Sequence, residues 1–135
     1  MIQQVAVNGS HATALGQQTT AHGDQPLAER SDDGKAWQPG PFTAPGPGVS
    51  FTALTASGGG FTAAARFGSS GGTMAAAVWT SANGTSWTQP PVSGLTGGGS
   101  HAVTALAASG SAVTGIDSIQ TQASQQFVVR SLPSG

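Results

Sequence analysis

The sequence predicts an all-β protein built from three tandem repeats, and three observations support this prediction. A turn motif of serine, glycine and tryptophan occurs twice, at residues 31–37 and 81–87. An alternating apolar and polar block precedes each motif and occurs a third time. Glycine is frequent, with 21 residues, and only 7% of the residues are charged. Since a period of roughly 40 to 50 residues with strands and turns is typical of propeller blades, the expected architecture is a series of four-stranded β-propeller blades.

The turn motif is clearest in the run from Val78 to Trp87. It reads as an extended segment, an Asn83-Gly84 turn and a second extended segment. Asn-Gly is a strong hairpin signal because both residues tolerate positive φ. Three residues of this hairpin repeat residues found 50 positions earlier: Ser31, Gly34 and Trp37 recur as Ser81, Gly84 and Trp87.

The block before each hairpin supplies two further strands. It occupies residues 2–14, 51–63 and 103–115, so its copies are displaced by 49 and then by 52 residues. Two blocks that recur in the same order are not explained by composition alone. The repeats are therefore expected at residues 2–45, 49–95 and 101–135.

Repeat one is expected to contain four strands, A to D, at residues 2–7, 11–18, 26–31 and 35–38. Asn8-Gly9 and Asp33-Gly34 supply the tight turns. The Pro- and Gly-rich stretch 39–48 is expected to be a linker outside the sheet, because proline lacks a ladder N–H and glycine resists ordering.

Repeat two is expected to contain strands at residues 50–56, 61–67, 73–80 and 85–89, with a flexible loop at 68–72. The segment Met74–Trp79 is rich in alanine and is compatible with a helix on propensity alone. Its counterparts at 26–28 and 127–129 favour a strand, and repeat context outweighs local propensity.

Repeat three supplies only three strands, at residues 101–108, 112–119 and 126–131. Its motif is reduced to Ser131 and a Pro133-Ser134-Gly135 turn, and no strand D follows. Open sheet edges are templates for another chain, and three blades are fewer than the four to eight that close a propeller. Three explanations remain open: a fragment of a longer propeller, association with a copy of itself, or a different chain that supplies the remaining blades.

Charge and composition argue against several classes of partner. The formal net charge is -1 and the four basic residues are scattered, so no basic patch favours nucleic acid or an anionic membrane surface. Cysteine is absent, which excludes disulfides and thiolate metal sites. No apolar run of about 18 residues is long enough to span a membrane, and the first residues lack the pattern of a signal peptide.

The turn motifs resemble the Asp-box of bacterial β-propellers with Asp-box or BNR-like repeats, which include the sialidase-type propellers. The family pattern is Ser-x-Asp-x-Gly-x-x-Trp. Residues 31–37 keep its serine, aspartate, glycine and tryptophan, but have one residue fewer between the aspartate and the tryptophan. Residues 81–87 have the same spacing, with Asn83 at the position of the aspartate. The resemblance implies a structural turn between strands C and D, away from the ligand face, and favours an extracellular or cell-envelope protein.

Each residue type in the motif has an expected structural role. The serine and the acidic or amide side chain accept turn amides, the glycine adopts positive φ, and the tryptophan packs over the hairpin. This role is assigned to Ser31, Asp33, Gly34, Trp37, Ser81, Asn83, Gly84 and Trp87. The core between blades is expected to contain Trp87 together with Phe51, Leu54, Phe61, Trp79, Val103, Leu106 and Val113.

The sequence gives little support to catalysis or metal binding. The resemblance implies a sialidase-type site with an arginine triad and a tyrosine nucleophile, and this chain has no tyrosine. Asp32 and Asp33 are adjacent, which suits a solvated turn better than a pair of catalytic carboxylates. His11, His22 and His101 lack ligand spacing and are interpreted as surface or loop residues. No catalytic residue, metal or cofactor is therefore assigned.

Arg66 and Asp117 are the candidate ligand-binding residues. They lie late in strand B of repeats two and three, where most residues are small and apolar. Polar groups at such positions pair with one another, face solvent or line a ligand surface, and these alternatives remain open. The predicted function is a non-enzymatic binding or scaffold module that presents loops on a rigid ring. The alternatives are a carbohydrate-binding, lectin-like propeller and part of a glycosidase-like propeller completed by residues outside this chain.

Overall fold

The computed structural model describes residues 1–40, 42, 48–68 and 72–134, and these residues form ten strands and no α-helix. The prediction of an all-β protein is therefore confirmed. The strands pair in antiparallel fashion within three sheets. The alanine-rich segment of repeat two is a strand, and its residues 75–79 are all buried.

The three sheets follow one another along the chain. The first sheet has the order β1 (Ile2–Asn8), β2 (His11–Thr20), β3 (Gly23–Ser31) and β4 (Gln38–Gly40). The second sheet has the order β5 (Ser50–Ser57), β6 (Gly60–Gly68) and β7 (Met74–Ser81). The third sheet contains β8 (Ser100–Ser109), β9 (Ala112–Gln120) and β10 (Gln125–Leu132), with β9 in the middle.

The fourth strand of the first sheet begins later than predicted. It starts at Gln38 rather than at Lys35 and runs into the expected linker as far as Gly40. The backbone amides of Lys35 and Ala36 both donate to the carboxylate of Asp33, at 2.8 and 2.9 Å. These two amides are therefore not free to pair with β3.

The second sheet has no fourth strand in the described part of the chain. The sequence predicts one at 85–89, but only Thr88 pairs, through two backbone hydrogen bonds of 2.8 and 2.9 Å with Thr80. Pro90 and Pro91 follow, and proline cannot donate to a ladder. The predicted four-stranded repeat is wrong here, and the second sheet has three strands like the third.

Parts of the predicted linkers lie outside the described residues: 41 and 43–47 in the first linker, 69–71 in the loop of repeat two, and 135 at the end of the final turn. Phe42 is described, and its ring lies 5.1 Å, between centroids, from those of both Phe51 and Trp79. This part of the first linker therefore packs against a core.

The three sheets share one pattern of strand pairing. Their first hairpins close at the pairs Asn8↔His11, Ser57↔Gly60 and Ser109↔Ala112. A β-bulge interrupts each first strand at the same place: Ile2/Gln4, Phe51/Ala53 and Val103/Ala105. Counting from the closing pair therefore assigns equivalent positions in all three sheets.

The second sheet lies between the other two, so both of its faces are buried. Along β6, Ala63 and Ala65 pack towards the first sheet, against Leu15 and Ala28. Ala64, between them, packs towards the third sheet. The second core cluster also contains Val78, Leu95, Val103, Val113 and Leu132. Since successive side chains of a strand point to opposite faces, the alanine run of β6 fits a sheet that is covered on both sides.

Most of the predicted core residues are buried. Phe51, Phe61, Trp79, Val103 and Val113 expose 4% or less of their surface. Leu54, Leu106 and Trp87 are partly buried and pack against the two clusters.

The third copy of the turn motif is shifted by one residue relative to the sequence alignment. Ser31 pairs with Ala12, and Ser81 pairs with Phe61. Leu132, not Ser131, pairs at the equivalent position of the third sheet, opposite Val113. Arg130 is therefore equivalent to Glu29 and Trp79, although the Arg-Ser pairs at 30–31 and 130–131 of the sequence would align it with Arg30.

Candidate functional site

The turn after β3 is closed by two side chains. The hydroxyl oxygen of Ser31 accepts the backbone amide of Gly34 at 2.8 Å and also donates to Asp33 at 3.1 Å. The same carboxylate oxygen of Asp33 accepts the amides of Lys35 and Ala36. These amide and hydroxyl hydrogen bonds lower the pKa of Asp33 below its ordinary value, the amide of Ala36 being the largest contributor.

The turn after β7 repeats this arrangement with an amide in place of the carboxylate. Ser81 accepts the amide of Gly84 at 2.8 Å, and the side-chain oxygen of Asn83 accepts the amides of Thr85 and Ser86 at 2.8 and 3.0 Å. Gly84 has a φ of 76°, against 75° for Gly34 in the first turn. The serine, the acidic or amide residue and the glycine therefore make equivalent hydrogen bonds in the two turns.

The two motif tryptophans have different surroundings. Trp87 is half-buried, and its ring lies 6.0 Å from that of Phe42 and 6.5 Å from that of Phe61, between centroids. Trp37 exposes 38% of its surface. Ala12 takes the place of Phe61 in the first sheet, so Trp37 has no equivalent ring against which to pack.

Each turn has a small depression beside it. One, of about 170 Å³, is lined by Arg30, Asp32, Asp33, Ala36 and Gln38. The other, of about 300 Å³, is lined by the residues 50 positions later, together with Ser81 and Ser134. Because the depression recurs with different side chains, it follows from the turn geometry and is a weak candidate for a ligand site.

Asp32 forms an exposed charged cluster at the first turn. Its carboxylate lies 2.7 Å from Nδ1 of His11 and accepts a 2.6 Å hydrogen bond from the guanidinium of Arg30. These two contacts, His11 first, lower the pKa of Asp32. The side chain of Asp32 is 61% exposed, so this cluster is solvated and adds little to stability.

The strongest candidate for a ligand site is a cleft of about 210 Å³ at the junction of the second and third sheets. Arg66 and Met74 line it from the second sheet. The third sheet contributes Ser100, His101, Ala102, Thr104, Ser118 and Gln120. Among the described residues no hydrogen bond or ion pair involves the exposed guanidinium of Arg66, so this cation is available to a ligand.

Beside this cleft, the side chains of His101, Asp117 and Arg130 form a largely buried hydrogen-bonded network. Nδ1 of His101 lies 3.0 Å from one carboxylate oxygen of Asp117, and Nε of Arg130 donates to the same oxygen at 2.9 Å. Asp117 is completely buried and His101 is 3% exposed. Arg130 also donates to the carbonyl of Gly94 at 2.9 Å. The network therefore ties the loop between the second and third sheets to β9 and β10.

The ring of His101 is held between two hydrogen-bonding groups. Its Nε2 lies 2.7 Å from the carbonyl oxygen of Gly97. On the other side, its Nδ1 faces the carboxylate of Asp117, which also accepts a hydrogen bond from Arg130. The histidine therefore links the loop before β8 to the buried carboxylate.

The structure separates the two candidate ligand residues. Arg66 lines the cleft, whereas Asp117 lies behind His101 and is engaged within the network. The interpretation of His101 as a surface or loop histidine is wrong, because it lies in β8 and is buried. His11, in β2, and His22, in the following turn, are exposed. The contacts of His101 and Arg130 with Asp117 could not be predicted from the sequence. Each residue lies diagonally opposite Asp117 on a neighbouring strand, and such pairs can be recognised only when the strand register is known.

The described residues contain no group of three or more His, Cys, Asp or Glu side chains arranged to hold a metal ion. In that same part of the chain, no helix is long and apolar enough to cross a membrane.

Comparison with known proteins gives no relative for this chain: no protein-family model, no curated protein and no solved structure matches it.

Proposed function

We propose that this chain is a non-enzymatic binding module whose three sheets are blades of a β-propeller, and that the cleft at the junction of the second and third sheets is its ligand site. The guanidinium of Arg66, which lines this cleft and has no hydrogen bond or ion pair among the described residues, is the observation that carries the proposal. A guanidinium without a protein partner is suited to a carboxylate, which it binds through two parallel hydrogen bonds.

The other groups at the cleft define the rest of the ligand. Ser100, Thr104 and Ser118 offer hydroxyl groups and Gln120 offers an amide, so hydrogen-bond donors and acceptors surround the arginine. This chemistry matches a small polyhydroxylated acid, such as one uronic acid unit of an acidic carbohydrate. Ligand pockets for drug-sized molecules are about 300–1,000 Å³, so a cleft of about 210 Å³ suits a single such unit.

The tryptophans do not favour a lectin that stacks sugars on matching rings. Trp79 is 2% exposed, Trp87 is half-buried and Trp37 is 38% exposed, so equivalent aromatic residues are not presented together. The carbohydrate proposal therefore rests on the polar cleft rather than on aromatic stacking.

The blade proposal is supported by the repetition of the sheets. Each sheet has the same hairpin closure and the same bulge, and the middle sheet is covered on both faces, as blades of a propeller are. Since propellers close with four to eight blades, the three sheets require further blades, from a longer chain of which they are part, from a second copy or from another chain.

The ligand site is tested by titrating isotope-labelled protein with glucuronic acid and, separately, with glucose. Shifts of the amide signals of Arg66, Ser100 and Gln120 with the acid alone are expected. An Arg66→Ala variant should lose these shifts, and a Gln122→Ala variant, changed in the exposed turn between β9 and β10, should keep them. Equal shifts with both sugars, or none with either, would show that Arg66 does not recognise an acidic sugar.

A further inference from the structure

We propose that two copies of this chain associate head to tail, with the third sheet of one copy packed on the first sheet of the other. This inference rests on the proposal that the sheets are propeller blades. It arises from the outer faces of the first and third sheets. Both faces expose apolar side chains at positions whose equivalents in the neighbouring sheets are buried.

The outer face of the third sheet, called here the trailing face, exposes Ile116 (38%), Phe127 (66%) and Val129 (72%). Strand register makes Ile116 equivalent to Leu15 and Ala64, which are completely buried against the next sheet. Val129 is likewise equivalent to Ala28 and Val78, which are 0% and 1% exposed. The trailing face thus has the character of a docking face, and no sheet among the described residues packs on it.

The outer face of the first sheet, called here the leading face, exposes Ile2 (45%), Val5 (58%) and Val7 (61%). Ile2 is equivalent to Phe51 and Val103, which are 4% and 1% exposed because a preceding sheet covers them. Trp37, the sequence counterpart of Trp87, is also exposed (38%). The leading face is therefore the complement of a trailing face, and the chain presents one of each.

A hydrogen bond between adjacent sheets indicates how the two faces meet. Thr13 donates to the carbonyl of Gly84, and the equivalent Thr62 donates to the carbonyl of Pro133, in each case in the turn that follows the third strand of the next sheet. The third equivalent residue, Thr114, is exposed. In the association proposed here, its hydroxyl reaches the turn at residues 32–34 of the second copy.

The strands of the leading face include one charged residue, Glu29, which pairs with Ala14 and is half-buried. Arg130 takes the same position in the third sheet, where it is paired with Asp117. A charge at this position is therefore compatible with close packing of sheets where a group of opposite charge pairs with it.

A second copy is the partner that fits both faces at once. The two interfaces within the chain already show a trailing face packed on a leading face, and a copy supplies the missing member of each pair. Contacts of this head-to-tail kind form closed rings when the rotation allows it. Two copies contribute six sheets, within the range of four to eight in which propellers close.

The test is the solution mass by light scattering, together with one substitution on each face. The wild-type chain is expected at twice its mass of 13.2 kDa. Val7→Lys and Val129→Lys should each give folded single chains. Every contact between two copies joins a leading face to a trailing face, and in each variant one of these two faces carries the lysine. An equimolar mixture of the two variants should again form a species of two chains, since the intact trailing face of one meets the intact leading face of the other. Gln122→Lys is the control with the same added charge at an exposed turn, and it should remain paired.

Each alternative gives a different result. A folded wild-type single chain at all concentrations overturns the association. If Val7→Lys stays paired while Val129→Lys does not, the contact joins two trailing faces and the head-to-tail arrangement is wrong. Should either variant unfold, Val5→Lys and Phe127→Lys test the same two faces. A doubled mass with an elongated scattering profile would overturn the closed propeller and leave the head-to-tail contact standing, so the two proposals fail separately.

Discussion

Thr13 donates its hydroxyl to the carbonyl oxygen of Gly84, 3.2 Å away, across the boundary between the first and second sheets. Both residues are buried, and the same hydroxyl also lies 3.2 Å from the backbone carbonyl oxygen of Glu29 in its own sheet, so its one hydrogen is shared between the two acceptors. The bond connects a β-strand to the turn of the next repeat and so fixes the relative position of two sheets that share no backbone ladder.

The first prediction concerns this bond. Thr13→Val keeps the shape of the side chain and leaves the carbonyl of Gly84 without its partner. The free energy of unfolding should fall by about 1–2 kcal/mol, the penalty for an unsatisfied buried group. Urea denaturation of Thr13→Val in a Val129→Lys background measures the loss without a contribution from self-association. In the same background Thr114→Val, which removes an exposed hydroxyl at the equivalent position, should change stability by less than about 0.5 kcal/mol.

The second prediction compares the glycines of the two turns. Both have positive φ, so an alanine at either is strained by about 1–2 kcal/mol. An added Cβ meets no atom within 4 Å at Gly34, but at Gly84 it lies 3.2 Å from the ring of Phe61 and 3.3 Å from Thr13. Gly84→Ala should therefore destabilise the chain by about 1 kcal/mol more than Gly34→Ala. Equal losses in thermal or urea unfolding would show that the ring of Phe61 and the side chain of Thr13 move aside for the added methyl group.

These two turns also show which parts of the fold can be predicted from sequence. Asn-Gly and Asp-Gly pairs and alternating apolar residues are local signals. They predict the first three strands of each repeat, and nearly all of the predicted strand ends lie within about two residues of the observed ones. The fourth strands are less predictable, since Asp33 takes the amides of Lys35 and Ala36 that pairing would need. The buried network could not be predicted, because Asp117 meets His101 and Arg130 only through the register of three strands.

The third prediction is a dependence of stability on pH that arises at the first turn. The pKa of Asp33 is lower in the folded chain than its ordinary value of 3.8. As the pH falls towards and below that value, the unfolded chain binds the proton first, so the stabilisation present at neutral pH is progressively lost. Asp33→Asn, which copies Asn83, should keep the turn and reduce the fall in stability between neutral and acid pH. Denaturant unfolding across this range measures the slope.

Two further variants make this comparison specific. Asn83→Asp should introduce a similar acid-sensitive loss at the second turn, because the same two amides would then meet a carboxylate. Asp32 also has a lowered pKa, through His11 and Arg30, so some acid sensitivity should remain in Asp33→Asn. An unchanged slope in both Asp33→Asn and Asn83→Asp would mean that the turn amides do not favour the charged form.

The fourth prediction concerns the network around Asp117. Asp117→Ala leaves the buried His101 and the partly buried Arg130 without their shared anion. Removing one partner of a buried charge network typically costs about 3–5 kcal/mol, so this variant should lose about 3 kcal/mol of unfolding free energy. Asp24→Ala, at an exposed position near the start of β3, is the matched control and should lose less than about 0.5 kcal/mol.

Replacing all three residues of the network together, as His101→Leu, Asp117→Val and Arg130→Met, should recover much of the loss because no uncompensated charge then remains. A triple variant no more stable than Asp117→Ala would show instead that the network holds Gly94 and Gly97 of the preceding loop in place, since these are the carbonyls that Arg130 and His101 bind.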